Sequence, residues 1–335
     1  MNLSKNTIRI VFFLVLAIFC VVVFSWWEIF VPKNPASKET KIFPVIQGEG
    51  SKDISNNLEK QGIIKSGLFF RTYTLITGSA NHLQAGKYEI SSSMNIPEIV
   101  YKISLGDVAK FTVTFPEGFS LADIEKELEG KGLLAGSDLK NQTVEVYKKQ
   151  FSFFESVPDS ASLEGFLFPD TYQFAYGTKV DEIVDRMISN FNKKLTADLR
   201  DVIVLKGKSI FEIITMASLI EKEVRTKEDK ELVSGILWKR IEIDMPLQVD
   251  ATIRYFLGKK TGGISVEDTQ IDSPYNTYKY KGLPKGPICN PGLESIKAAI
   301  YPKESDYLYY LSTPEGETIF NKTFEKHKAA KEKYL

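Results

Sequence analysis

Three groups of residues in this chain have types and spacings suited to acid–base or polar-ligand chemistry. The first is the run Ser209 to Val224, where Ile210, Ile213, Ile214, Ala217, Ile220 and Val224 recur at helical spacing. At about 100° per residue these side chains share one face, and Glu221 lands in the middle of it. Glu212 and Glu223 fall on roughly the opposite arc, where water is expected to solvate them. Burial disfavours a charged carboxylate. A glutamic acid still protonated near neutral pH is what general-acid cleavage of a glycosidic bond requires. The alternative for Glu221 is a buried ion pair with Arg225, Lys239 or Arg240. The second group is Leu163 to Phe174, LEGFLFPDTYQF, in which Glu164 and Asp170 are interleaved with Phe166, Phe168, Tyr172 and Phe174. Aromatics beside carboxylates suit a sugar groove, and equally an ordinary packed strand and turn. The third is Ser273 to Tyr278, SPYNTY, followed by Gly282 to Gly292, GLPKGPICNPG. Hydroxyl and amide donors there precede a loop whose prolines stiffen its backbone.

Other chemistries are poorly provided for. His82 and His327 are the only histidines and lack the spacing of a zinc motif. Cys20 lies in an apolar run and Cys289 far from it, so neither a disulfide framework nor a cysteine metal site is expected. Lys plus Arg equals Asp plus Glu at 43 each, which gives no sign of a nucleic-acid binder.

The elements that must position these residues follow from pattern. From Ile8 to Phe30 the chain is almost uncharged and long enough to cross a bilayer, with Trp26 and Trp27 placed for its interface. No small-x-small cleavage site follows it, so an uncleaved anchor is expected, with residues 1–7 as a short cytoplasmic tail and the bulk outside. Residues 31–43, with Pro32, Pro35 and several charges, read as a linker. A near-repeat follows: Asp53, Ile54, Leu58, Glu59, Gly62, Ile63 and Ile64 recur as Asp123, Ile124, Leu128, Glu129, Gly132, Leu133 and Leu134. Each copy predicts a strand, a Gly/Ser turn and a helix closed by glycine. Strands are expected near 84–91 and 110–115, with helices over 95–104, 180–199, 209–224 and 323–335. The whole is read as α+β: a transmembrane helix, a small module at 44–112 of the size of carbohydrate-binding LysM-like domains, and a larger α+β domain at 113–335.

Several of these segments resemble the YceG-like endolytic murein transglycosylases. They are ASLIEKE (217–223), LQVDATIRYFLG (247–258), SPYNTY, GLPKGPICNPGLESIKAA (282–299), YLYYLSTPEGETIFNKTFEKH (307–327) and LEGFLFPDTYQF. The resemblance covers nearly the whole chain, and YNTY followed by GLPxGPIxNPG is its specific part. Val249, Ala251 and Cys289 depart from the pattern at loop positions. The resemblance implies a catalytic Glu221 and cleft residues Gln248, Asp250, Tyr275, Asn276, Thr277 and Tyr278; Glu164 is expected as a further substrate contact from its aromatic neighbours. It implies non-hydrolytic cleavage between N-acetylmuramic acid and N-acetylglucosamine within glycan strands, leaving 1,6-anhydro ends and terminating strand elongation. No metal or organic cofactor is called for. Its implied partners are peptidoglycan strands, membrane lipid through the one N-terminal helix, and the cell-wall synthesis machinery. The alternatives are a hydrolytic muramidase using a second acid such as Asp250 or Glu164, and a non-catalytic, membrane-anchored peptidoglycan-binding scaffold.

Overall fold

The computed structural model describes all residues except 1–4, 132, 134–138, 140–141, 260–262 and 335. Part of the N-terminal tail expected to be cytoplasmic, and Gly132 and Leu134 of the second repeat copy, therefore lie outside the described residues. The chain divides into two compact units, one of residues 1–112 with 173–178, the other of 113–172 with 179–335. The return of 173–178 to the first unit is a feature that linear reading does not anticipate.

The first unit begins with α1 (Lys5–Phe30), whose exposed apolar surface is long enough to cross a membrane. Strand β1 (Thr40–Val45) pairs antiparallel with β2 (Gly86–Ser91), with Phe43 opposite Tyr88. Between them lie α2 (Ser51–Lys60) and α3 (Gly67–Ile76), and after them α4 (Ile96–Ser104). Asn95 and Glu98 close a capping box at the start of α4, satisfying backbone N–H groups that the first turn leaves free. Phe43, Ile54, Leu58, Phe70, Tyr88 and Ile103 form the fully buried core, and Ile29 at the end of α1 packs against it. The expected linker is short, because β1 starts at Thr40 and the Asn34 N–H already donates to the Ser92 carbonyl at 2.9 Å.

Strand β3 (Lys110–Thr114) pairs with β4 (Thr171–Ala175). In the second unit α5 (Leu121–Gly130) follows β3, capped by Ser120 and Asp123. Both repeat copies are thus a strand, a turn and a helix. Residues 144–156 form short 3-10 turns, and Phe153, Phe154, Phe166 and Phe191 stack into an aromatic core with centroids 4.2 to 5.4 Å apart along the cluster. The stretch expected as one helix over 180–199 is two, α6 (Val180–Lys194) and α7 (Ala197–Leu205). Central to the unit is α8 (Ile210–Glu223), started by a Ser209/Glu212 capping box. It packs against α9 (Lys227–Glu242), α10 (Asp250–Leu257) and α11 (Leu293–Ile300). The hairpin of β5 (Tyr309–Ser312) and β6 (Thr318–Asn321) precedes the polar α12 (Phe324–Tyr334).

Helix α8 does not have the one-sided face that its spacing predicts. Every residue from Ile213 to Ile220 is buried, Thr215 and Ser218 included. Only the two ends of the helix reach solvent, with Lys222 exposed and Glu212 and Glu223 partly so; Glu223, expected on a freely solvated arc, is instead half-buried.

Candidate active site

A cleft of about 1690 Å³ opens in the second unit. The segment 117–123, the C-terminal end of α8, the start of α10, Tyr278 and strand β5 all contribute to its walls. Glu223, the last residue of α8, stands in this cleft. Its carboxylate accepts a hydrogen bond from the Tyr310 hydroxyl at 2.9 Å, and the Ser312 hydroxyl donates to its backbone carbonyl at 3.4 Å. Strand β5 therefore crosses the end of α8 and holds the side chain. Glu223 is half-buried. Burial pushes its carboxyl up to about 7; the Tyr310 bond opposes this, Asp250 adds to it, and Arg254 and Arg240 oppose it. Arg240 is itself fixed by donating to the carbonyls of Leu308 at 2.8 Å and Leu247 at 2.6 Å.

Glu164 bounds the same cleft but is 2% exposed. It accepts from the Leu121 N–H at 3.1 Å, the Tyr255 hydroxyl at 3.2 Å and the Asn290 amide at 3.2 Å. Burial is again the largest influence and lifts its carboxyl to about 8. Asn290 also takes the Leu167 N–H at 2.9 Å and donates to the Phe119 carbonyl at 3.0 Å, so Glu164 and Asn290 together tie four separate chain segments into one wall. The glycine beside Glu164 is required there: Gly165 has φ +90°, and a Cβ would meet Ile214 and Pro287 at 2.7 Å.

Glu221 has a different environment. Its carboxylate accepts from the Ser295 hydroxyl at 2.6 Å and the Gly292 N–H at 3.0 Å, and lies 3.5 Å from the Lys230 ammonium. The side chains of the pair are 9% and 4% exposed. Glu221 is not among the residues bounding the cleft; it lies behind Gly118, which is. Its partner, Lys230, is none of the three cations expected from sequence. Gly292 admits Glu117 as well, since a Cβ there would overlap the Glu117 carboxylate. Glu117 bounds the cleft, and its carboxyl is raised by burial and then by the neighbouring Glu221.

Among the other residues expected in the site, Gln248, Asp250 and Tyr278 bound the cleft, and the Tyr278 hydroxyl donates to Asp250. Gln248 holds a left-handed φ of +52°, its N–H donating to the Thr277 carbonyl at 3.1 Å. Tyr275, Asn276 and Thr277 lie behind the wall. Asn276 donates to the carbonyls of Thr269 and Ile271 at 2.9 and 2.7 Å, and Thr277 accepts from the Val249 N–H at 3.0 Å. The ring of Tyr275 lies 5.0 Å from that of Tyr255, which reaches Glu164. Asp170 accepts from Asn190 at 3.0 Å, away from the cleft.

The YceG-like family model matches residues 43–333. The chain belongs to the YceG-like family. An endolytic murein transglycosylase of Bacillus subtilis (strain 168) is 35% identical over 324 residues, covering 91% of this chain and 87% of that protein. The endolytic murein transglycosylase of Streptococcus pneumoniae serotype 2 (strain D39) is 32% identical over 88% of this chain. The YceG-like chain spans 58% of the pneumococcal protein's length. A crystal structure of a YceG-like protein from Listeria monocytogenes matches with a TM-score of 0.61 at 34% identity, covering 88% of this chain and 100% of that one.

Sequence reasoning about this YceG-like chain passes over Glu117, Tyr255 and Tyr310, places Glu223 on a solvated arc, and names Arg240 only as a possible ion-pair partner of Glu221. One signal for Glu223 is present. The matched segment Ala217 to Glu223 carries two glutamates two positions apart, which a helix turns about 200° from each other, so the motif alone does not choose between them. Among the described residues no three His, Cys, Asp or Glu side chains converge as a metal set.

Proposed function

We propose that the chain is an endolytic peptidoglycan lytic transglycosylase whose general acid is Glu223. The observation that carries this reading is a carboxyl raised to about 7 that also opens into the cleft. An acid of that strength retains its proton near neutral pH and can transfer it. In the proposed reaction Glu223 protonates the oxygen linking N-acetylmuramic acid to N-acetylglucosamine, and the bond from that oxygen to the muramic C1 breaks. The resulting carboxylate then takes the proton from the muramic C6 hydroxyl, whose oxygen bonds to C1 and closes a 1,6-anhydro ring. The intramolecular nucleophile acts at high effective concentration, so a second carboxylate for activating water is not needed. Glu164, raised further but shut in by three donors, is assigned to holding the wall together.

A second assignment keeps the matched ASxxEKE segment as its guide and gives the acid role to Glu221. Product analysis tests the reaction and point variants the residue. Anhydro-muramic ends in digested strands support transglycosylation, reducing ends support a muramidase with Asp250 or Glu164 as second acid, and binding without shortening supports a scaffold. We further propose that α1 anchors the chain in the plasma membrane with its N-terminus cytoplasmic, that the first unit is a LysM-like glycan-holding module, and that cleavage ends strand elongation beside the cell-wall synthesis machinery.

A further inference from the structure

Helix α3 has an unusual orientation within the first unit. Phe70 and Thr74 face the core, while Leu68, Leu75 and Ile76 are 58%, 70% and 79% exposed. On a helical wheel these three fall with Thr72 and Phe69 in one arc that contains no charge, Arg71 lying beyond its edge. An outward apolar face on a helix that already buries its other side is the pattern of a partner surface. The same helix is fastened to the end of α1. The Phe69 ring lies 5.7 Å from that of Phe24, the Lys65 ammonium sits 4.6 Å over the Trp27 ring and donates to the Trp27 carbonyl at 3.2 Å, and Ile29 enters the core.

These contacts fix depth. With Trp27 at the headgroup level, Phe24 lies about 4.5 Å further into the bilayer along the helix axis. Phe69, resting on Phe24, reaches the boundary of the hydrocarbon. We infer that α3 is a second membrane contact: an interfacial helix whose Leu68, Leu75 and Ile76 lie among the upper acyl carbons of the outer leaflet, with Lys65 and Arg71 beside lipid phosphates. This rests on the reading that α1 spans the membrane. Its consequence is that the first unit is held against the bilayer surface rather than carried on a free linker.

The test uses the full chain reconstituted in phosphatidylglycerol–phosphatidylethanolamine vesicles, with a solvent-sensitive fluorophore on one thiol at a time. Cys289 is fully buried, so native Cys20 serves as the reporter for α1, and Ile76→Cys or Leu75→Cys in a Cys20→Ser background reports on α3. A probe on α2, at Lys52→Cys, is the solvent control. Expected at either α3 position is blue-shifted emission, quenched at least twofold more by lipids carrying a shallow nitroxide than by a deep one, with the reverse order at Cys20. The Lys52→Cys probe should emit as in water. Water-like emission at both α3 positions, or a blue shift without lipid quenching as a second copy would give, overturns the inference while Cys20 quenching leaves the anchor standing. An unquenched Cys20 overturns the anchor, and the inference with it.

Discussion

Glu221 and Glu223 are two residues apart on one helix and meet opposite conditions, which makes their substitution informative. Glu221→Gln strands the Lys230 ammonium in a site where both side chains are nearly closed to water, and a loss on the order of 3–5 kcal/mol in unfolding free energy is expected in a denaturant titration. Adding Lys230→Met should recover most of it. Gly292→Ala should act through Glu117, whose carboxylate occupies the space of the new methyl; that carboxylate ends an exposed, flexible side chain that can swing aside, so only a small fall in melting temperature is expected. Titration separates the acids further. Glu223 and Glu164 rise from an ordinary 4.5 to about 7 and about 8, so between those values the folded chain holds more protons than the unfolded one. Their contribution to stability is complete below about 4.5 and is lost as pH rises through 7 and then 8, on the order of 3 kcal/mol for Glu223. Glu223→Gln should therefore flatten the decline in melting temperature between pH 5 and pH 8, and wild-type cleavage should weaken as pH rises through about 7.

At the scale of elements, the strongly periodic segments were legible and the enclosed ones were not. Helices α4, α5 and α8 were announced by Asn95, Ser120 and Ser209, each followed three positions later by an acid that closes the box. Ser209→Ala should cost about 1 kcal/mol in unfolding free energy, read as a lowered denaturant midpoint, because it leaves the Glu212 N–H without its partner. The wheel of the same helix does not map its contact with solvent. Thr215 donates to the Phe211 carbonyl at 2.7 Å and Ser218 to the Thr215 carbonyl at 2.7 Å while accepting from the Ile288 N–H at 3.0 Å, so the polar side chains are satisfied within the protein and are buried with the rest. Helix α9 conceals its role similarly, since Lys230 and Arg240 look like surface cations in sequence and are 3% and 5% exposed in the fold. The SPYNTY segment stands out by its residue types, yet Asn276 serves the loop's own backbone, Thr277 holds the Val249 N–H ahead of α10, and only Tyr278 bounds the cleft.

For the whole molecule, the long apolar N-terminal helix, the family and the α+β composition follow from patterns that local chemistry imposes on sequence. The cleft does not, because it is assembled from segments as distant as Glu117 and Tyr310 that only tertiary packing brings together. Its central assignment is tested most directly by incubating purified peptidoglycan with the wild-type chain, Glu223→Gln and Glu221→Gln, and counting 1,6-anhydro-muramic ends by mass spectrometry, with folding of each variant checked at the assay temperature. Expected is a loss of at least about 100-fold for Glu223→Gln with its fold intact, the scale of lost general-acid catalysis. Glu221→Gln is expected to lose activity only in proportion to the fraction unfolded. Wild-type cleavage by a folded Glu223→Gln chain, with none from a folded Glu221→Gln chain, would contradict the assignment and return the acid to Glu221.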